Sequence, residues 1–464
     1  MSAPRPSEAS MNRLDSSQRS HLRSRFGHRV TFRRSERRRC GHDSVTATPP
    51  VRPAIGETVP DGVVYPQSES ELLELARWAS QERIALTPRG CGMSRSGAAV
   101  PLRRGLVVDF HRLNRVIDLE RRSRTVTVEP GMVWQQLDTE LARAGLALRL
   151  YPTSYAGSSV GGWLAHGGAG LGSFETGWFH ESVVAARIAV PAGEVLDIDS
   201  STLDLVSDAE GTTGLVSRVT LRVAPIGEIA VMAAATPDPA ALQQLLESVV
   251  QADLPLWSVS FVDPGLAALH AAGPEEYVVS FAFLRSNAPW LTSTLPWIVH
   301  QSGAWILDDD LARREWNRRF RTMRIRRRVP SLVPAEVVVP LAALAAVLDQ
   351  IERTIQRPVP KEAVVVRTRG AEPQVALHAF VPVDVFEGVS REAAMADAQK
   401  VIAIAERHGG RSYSTGIYFR DRAEGILGED RMRRMRAFKR EVDPHGILNP
   451  GKVMGAGAMG WPMT

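Results

Sequence analysis

The chain is 464 residues long, 44% hydrophobic and 23% charged, which excludes wholesale disorder and leaves room for two or three cores. No apolar run approaches the roughly 20 residues of a spanning helix, and the start lacks the apolar core of a signal peptide. Cys40 and Cys91 are the only cysteines, too few for a disulfide framework or a zinc or iron–sulfur site. The expectation is a soluble, cytoplasmic protein with no metal site. The net charge of +5 is uneven, because residues 1–45 hold eleven Arg against Glu8, Asp15, Glu36 and Asp43, and the rest is nearly neutral. Those arginines suit a solvated, partly helical extension anchored by Leu14, Leu22 and Phe26; attraction of nucleic acid or anionic lipid and an organelle transit segment are the other readings.

Ser68 and Glu71 form a capping-box pattern opening a helix to about Gln81, with Leu72, Leu75, Ala76 and Ala79 on one face. A strand at 84–87 runs into Pro88-Arg89-Gly90-Cys91-Gly92-Met93-Ser94-Arg95-Ser96-Gly97. Glycines after a strand let backbone N–H groups approach a pyrophosphate. The spacing is not G-x-G-x-x-G and no helix follows, which disfavours a Rossmann site. Strands are expected at Gly105 to Phe110 and Arg124 to Glu129, then a helix from Val133 to Ala144 stopped by Gly145. Residues 157–177 are glycine-dense, and Glu210-Gly211-Thr212-Thr213-Gly214-Leu215-Val216 precedes a strand at Val219 to Val223. Three such loops point to one extended cofactor. From Pro225 glycine thins and the pattern becomes that of an α+β unit. Strand-like runs at Trp257 to Val262, Tyr277 to Phe283, Glu336 to Val339, Ala363 to Arg367 and Ala376 to Val381 alternate with helices at Ala240 to Val250, Leu341 to Thr354 and Arg391 to Arg407. A basic amphipathic helix at Asp430 to Val442 leads into a Pro/Gly-rich close.

Taken in order, Val64-Tyr65-Pro66-Gln67-Ser68, Pro88 to Gly97, Gly105 to Phe110, Pro130-Gly131, Val160-Gly161-Gly162, Glu210 to Val216 and Leu448-Asn449-Pro450-Gly451-Lys452 resemble the FAD-binding oxidoreductases of the vanillyl-alcohol oxidase and p-cresol methylhydroxylase (PCMH-type) superfamily. The branch of the glycolate oxidase flavoprotein subunit and D-lactate dehydrogenase is the nearest likeness, through Leu22 to Val30 with Asp43, Trp316 to Arg319, and Val337-Val338-Val339-Pro340. The resemblance implies an α+β fold: a two-subdomain PCMH-type FAD-binding domain at 56–226 and a substrate or cap domain at 227–425 with a ferredoxin-like antiparallel sheet. A basic extension at 1–55 would precede them, and a segment at 426–464 would return to the FAD domain. It further implies that Arg89, Gly90, Cys91, Gly92, Met93 and Ser94 hold the pyrophosphate. Ser159, Gly161, Gly162, Ala165 and Gly167 would line the isoalloxazine and ribityl chain, Glu210, Gly214 and Val216 the adenine side, and Asn449 and Lys452 would return to the flavin.

Covalent relatives place a His in or just after the first glycine loop; here Cys91, Met93 and Arg95 stand there, so FAD is expected to be non-covalent, with Cys91 a buried, inert thiol. The Glu-His-Gly of the hydroxy-acid branch is also missing, replaced by Ser412-Tyr413-Ser414-Thr415-Gly416. The implied function is oxidation of a small alcohol or 2-hydroxy acid by hydride transfer to flavin N5, with electrons passed to a carrier or iron–sulfur partner. A non-redox flavoenzyme like alkylglycerone-phosphate synthase, or a flavin-binding subunit without its own catalysis, is the alternative. A base for the hydroxyl proton and a cation for a carboxylate are needed. His378, Tyr418 and Tyr413 are candidates for the first, and Arg319, Arg367 and Arg369 for the second. The nine arginines from Arg313 to Arg328 suit a solvated helix face or a docking surface for an acidic partner.

Overall fold

A computed structural model describes residues 11–44, 58–268, 275–320, 332–383, 389–417 and 419–454. The first layer is a four-stranded sheet in the order Val30–Thr31, Gly62–Val64, Leu106–Asp109, Leu86–Arg89, its last three strands parallel. The basic N-terminal segment is built into this layer. Asp15 caps the helix Ser16–Phe26, whose Leu22 and Phe26 are buried with Leu72, Leu75 and Leu86, and Val30–Thr31 supplies the edge strand. Arg29 pairs with Glu71 and Arg25 with Glu74 on the helix Glu69–Glu82. The capping box there is half formed. The Ser68 hydroxyl accepts from Glu71 N–H at 3.2 Å, whereas the Glu71 carboxylate is taken by Arg29 and by Gln67 N–H.

The second layer is an antiparallel sheet in the order Val195–Ile198, Val183–Ala189, Leu215–Pro225, Thr125–Val128, Val116–Glu120, with Leu146–Leu148 also on Leu215–Pro225. Helix Trp134–Arg143 packs Trp134 edge-on to Trp163 and Phe179, and Leu137 and Leu141 complete that core. Gly145, at φ 74°, ends the turn after this helix, as the sequence suggested.

The third layer is an eight-stranded sheet whose pairings are all antiparallel, in the order Trp305–Ile306, Ile229–Thr236, Tyr277–Leu284, Ser258–Val262, Lys361–Val366, Gln374–Pro382, Leu332–Pro340, Arg411–Ser412. Helices Pro239–Gln251, Ala288–Gln301, Leu344–Thr354 and Arg391–Arg407 bury their apolar sides on one face. Side chains alternate along a strand, so Val337 and Val339, like Leu377 and Ala379, join that core. Ala376, with Val364 and Val366, packs on the opposite face against Ala169 and Leu171 of the glycine-dense segment. The helix Glu429–Val442 leads into the closing segment, which lies beside the first sheet, with Leu86 N–H donating to Ile447 O and Asn449 N–H to Leu86 O. Among the described residues no helix is long and apolar enough to cross a membrane.

Candidate functional site

A cavity of about 220 Å³ opens to solvent where the three layers meet. Its walls come from the first glycine loop, from the helix Val160–His166, from the Glu210 loop, and from the face of the third sheet that its helices leave uncovered. That helix runs through residues that read as a loop. The Ser159 hydroxyl caps it by accepting from Gly162 N–H at 3.3 Å, and Gly161 N–H donates to Pro130 O at 2.8 Å. A Cβ on Gly161 would stand 2.8 Å from Pro130 Cα, so only glycine lets helix and turn meet here. Gly90 likewise lies against the Ser159 side chain, and Gly162 has Gly90 Cα 3.8 Å from where its Cβ would be.

The third sheet contributes a charged pair at one register position. Glu336 and His378 are directly opposite on neighbouring strands, both on the uncovered face, and His378 Nδ1 lies 3.0 Å from Glu336 Oε1. Arg95 of the first glycine loop donates to the same oxygen at 2.7 Å. Burial pushes the Glu336 pKa up, but Arg95, His378 and His166 outweigh it and hold the carboxyl at about 2. His378 Nε2 is buried and has no hydrogen-bond partner among the described residues. Tyr413 borders the pair, its ring 5.2 Å from that of His378, and its hydroxyl accepts from Ala169 N–H at 2.7 Å. On the facing wall His166 lies 3.2 Å from the buried Glu210 carboxylate. Burial pushes the His166 pKa down, yet Glu210 overcomes this and raises it to about 9, so the ring is an imidazolium at neutral pH.

Of the residues singled out in the sequence, Gly90, Cys91, Gly92, Met93, Ser94, Ser159, Gly161, Gly162, Ala165, Glu210, Gly214, Val216, His378 and Tyr413 line the cavity. Arg89, Gly167, Asn449 and Lys452 do not. Arg89 turns back to donate to His42 O at 2.8 Å, and the bare Cα of Gly167 makes room for the Asp208 carboxylate. Asn449 Nδ2 donates to Ala98 O and Glu210 O at 3.0 and 2.6 Å, and Lys452 Nζ to Val100 O at 2.6 Å. These two residues clamp two cavity loops from behind. Arg319 stacks on Trp316 and Phe320 near Tyr151 and Tyr155, outside the lining. Arg369 is exposed in a turn, Arg367 is paired with Asp253, and Tyr418 and residues 321–331 of the arginine-rich run lie outside the described residues. Cys91, expected to be buried, is exposed at the cavity; the protein around the thiol still raises its pKa. Among the described residues no group of three or more His, Cys, Asp or Glu is placed to hold a metal.

Arg95, Glu336 and His166 were not recognised as site residues. The available signal was a lone carboxylate and a lone imidazole, each at an alternate position of an otherwise apolar strand. Polar groups in such strands need a partner, and each is the other's. The cavity's chemistry fits a dinucleotide-sized flavin. Glycines form the wall where main chain must come close, and charged groups form two pairs on facing walls, Glu336 with His378 and Glu210 with His166.

A family model for an FAD binding domain matches residues 60–199, and one for the C-terminal domain of FAD linked oxidases matches residues 297–453. An uncharacterized FAD-linked oxidoreductase of Mycobacterium tuberculosis is 28% identical over 193 residues, which is 40% of this chain and 40% of that relative's length. A D-2-hydroxyglutarate dehydrogenase of Stutzerimonas stutzeri is 24% identical over 433 residues, 86% of this chain and 91% of its own. Alkyldihydroxyacetonephosphate synthase shares the fold, with a TM-score of 0.77 and 19% identity over 97% of this chain and 87% of that one. The chain thus carries an FAD binding domain followed by the C-terminal domain of the FAD linked oxidases, set around a glycine-walled cavity, and its cofactor is FAD.

Proposed function

We propose that the protein is a dehydrogenase that oxidises a small alcohol or 2-hydroxy acid, holds FAD without a covalent bond, and delivers electrons to a carrier or iron–sulfur protein. The backbone of Gly90 to Ser94 would hold the pyrophosphate, Ser159, Gly161, Gly162 and Ala165 the ring and ribityl chain, and Glu210, Gly214 and Val216 the remainder. Bound FAD supplies a two-electron acceptor.

The observation that carries the reading is the unpartnered, buried His378 Nε2 at the cavity. With Nδ1–H donated to Glu336, Nε2 keeps its lone pair and can take the substrate hydroxyl proton. The Glu336 carboxylate then stabilises the imidazolium formed, while Arg95 fixes the carboxylate. The His166 imidazolium, held by Glu210 on one side, is a cation at the cavity for a substrate carboxylate, whereas Arg319 and Arg369 do not line it. The D-2-hydroxyglutarate dehydrogenase relative supports the hydroxy-acid class. The missing Glu-His-Gly favours, as a second reading, a flavin-binding subunit without its own catalysis.

Anaerobic mixing with D-lactate, glycolate and D-2-hydroxyglutarate separates the two. At least one donor is expected to bleach the flavin absorbance, and His378→Asn to slow that bleaching by roughly 10² to 10⁴ with FAD content unchanged. No bleaching by any alcohol donor refutes the dehydrogenase.

A further inference from the structure

We infer that a second pocket, directly behind the wall formed by His166 and Tyr413, is an oxyanion site that takes a small carboxylate or phosphate group through Arg411. The pocket has a volume of about 80 Å³, and its lining includes Trp178, His180, Asp208, Arg411, Ser414 and Arg431. His166 and Tyr413 border both this pocket and the main cavity. Its character differs from that of its neighbour, since guanidinium, imidazole, carboxylate and hydroxyl groups dominate.

Two cations share one carboxylate, Asp208, and only one of them is hydrogen-bonded to it. Arg431 donates to Asp204 O, Ser207 O and the Asp208 carboxylate at 2.8, 2.6 and 3.1 Å. His166 is matched by Glu210. Arg411 donates only to Ser412 O, at 3.2 Å, and no carboxylate among the described residues lies within ion-pair distance of it. Its guanidinium carbon sits 5.3 Å over the Trp178 ring, which orients the fork, and the strand Arg411–Ser412 is hydrogen-bonded into the sheet beside Val337–Val338. Burial lowers the Arg411 pKa, and the one carboxylate of the pocket that attracts it, Asp208, is already hydrogen-bonded to Arg431; a planar fork held on an aromatic face with only this shared counter-charge is preorganised for a carboxylate or phosphate. Ser414 and Thr415 put hydroxyl groups on the same wall.

This site does not depend on the oxidation proposed above, and its test reads binding alone. The FAD-loaded full chain is titrated calorimetrically with inorganic phosphate, acetate and glutarate, none of which carries an oxidisable hydroxyl. Saturable binding is expected, weakened about tenfold or more by Arg411→Gln and less by Arg411→Lys, with the flavin spectrum and circular dichroism retained. In the unsubstituted chain, phosphate should protect Arg411 from phenylglyoxal labelling read by peptide mass spectrometry, which keeps the test decisive if the variants misfold. Tighter binding of glutarate than of acetate or phosphate identifies the ligand as a carboxylate reaching across from the main cavity; equal binding of phosphate and acetate identifies a free anion. Absence of saturable binding for all three, binding undiminished in Arg411→Gln, or Arg411 labelled equally with and without phosphate overturns the assignment.

Discussion

Replacing Gly161 by Ala tests whether the helix Val160–His166 is pinned to the Pro130 turn. The added Cβ would stand 2.8 Å from Pro130 Cα and 2.9 Å from its carbonyl oxygen, and closer still to its Cβ. Carbon atoms pack best at about 3.5 to 4.0 Å, so helix and turn must separate by roughly 1 Å. Nothing at Pro130 can rotate away, since the contacts are backbone and a closed ring. Overpacking of this kind costs about 1 to 3 kcal/mol, and stretching the Gly161 N–H to Pro130 O bond, now 2.8 Å, costs about 1 kcal/mol more. Better helix propensity of Ala returns roughly 0.5 to 1 kcal/mol, leaving a net loss of about 1 to 3 kcal/mol. Gly425 is the control, because it lies in the short helix Ala423–Leu427 with no atom within 4 Å of its would-be Cβ. Gly425→Ala should be neutral or slightly stabilising. Urea midpoints and the FAD-to-protein ratio of purified full chain provide the readout, and Gly161→Ala should lower both. A Gly161→Ala protein with the wild-type midpoint and full FAD would show that the close approach to Pro130 is not what shapes this wall.

Glu336→Gln leaves the half-buried Arg95 guanidinium without its counter-charge and should cost about 1 to 3 kcal/mol, read as a lower urea midpoint. Because the folded carboxyl titrates at about 2 against 4.5 unfolded, its contribution is present above pH 4.5 and lost as pH falls toward 2; the gap between wild type and variant should close over that window. His166 has the opposite sign. Its pKa of about 9, raised from 6.5, means stability of about 3 kcal/mol that is fully present below pH 6.5 and lost as pH rises to 9, and His166→Gln should flatten that slope in midpoints measured from pH 6 to 9.5. Acid precipitation should release yellow FAD to the supernatant from wild type and from Cys91→Ser alike; colour retained by the wild-type pellet and lost from that of Cys91→Ser would mark a thiol link.

Elements with a strong local period were legible in the sequence. Helix Arg391–Arg407 has the limits its pattern gives, and Gln374–Pro382 contains the expected strand with one or two residues added at each end. The site was legible in the segments that form its walls and much less in its charged groups. Glu336 and His378 are 42 residues apart and meet only through strand register, and His166 and Glu210 are 44 apart and meet only when a loop closes on a helix end. A lone polar residue in an apolar strand signals that a partner is needed, but nothing local names the partner. Glycine density carried a narrower message than a cofactor contour. It marks where main chain must come close to something, without saying to what. Gly90 and Gly162 stand beside one another at the cavity, but Gly161 also meets Pro130, Gly167 meets Asp208, and Gly170 meets the Tyr151 carbonyl. A glycine loop therefore serves two constraints, closeness to the ligand on one side and closeness to the supporting chain on the other. In Gly161 both fall on one residue, which is why its substitution should disturb cofactor and fold together.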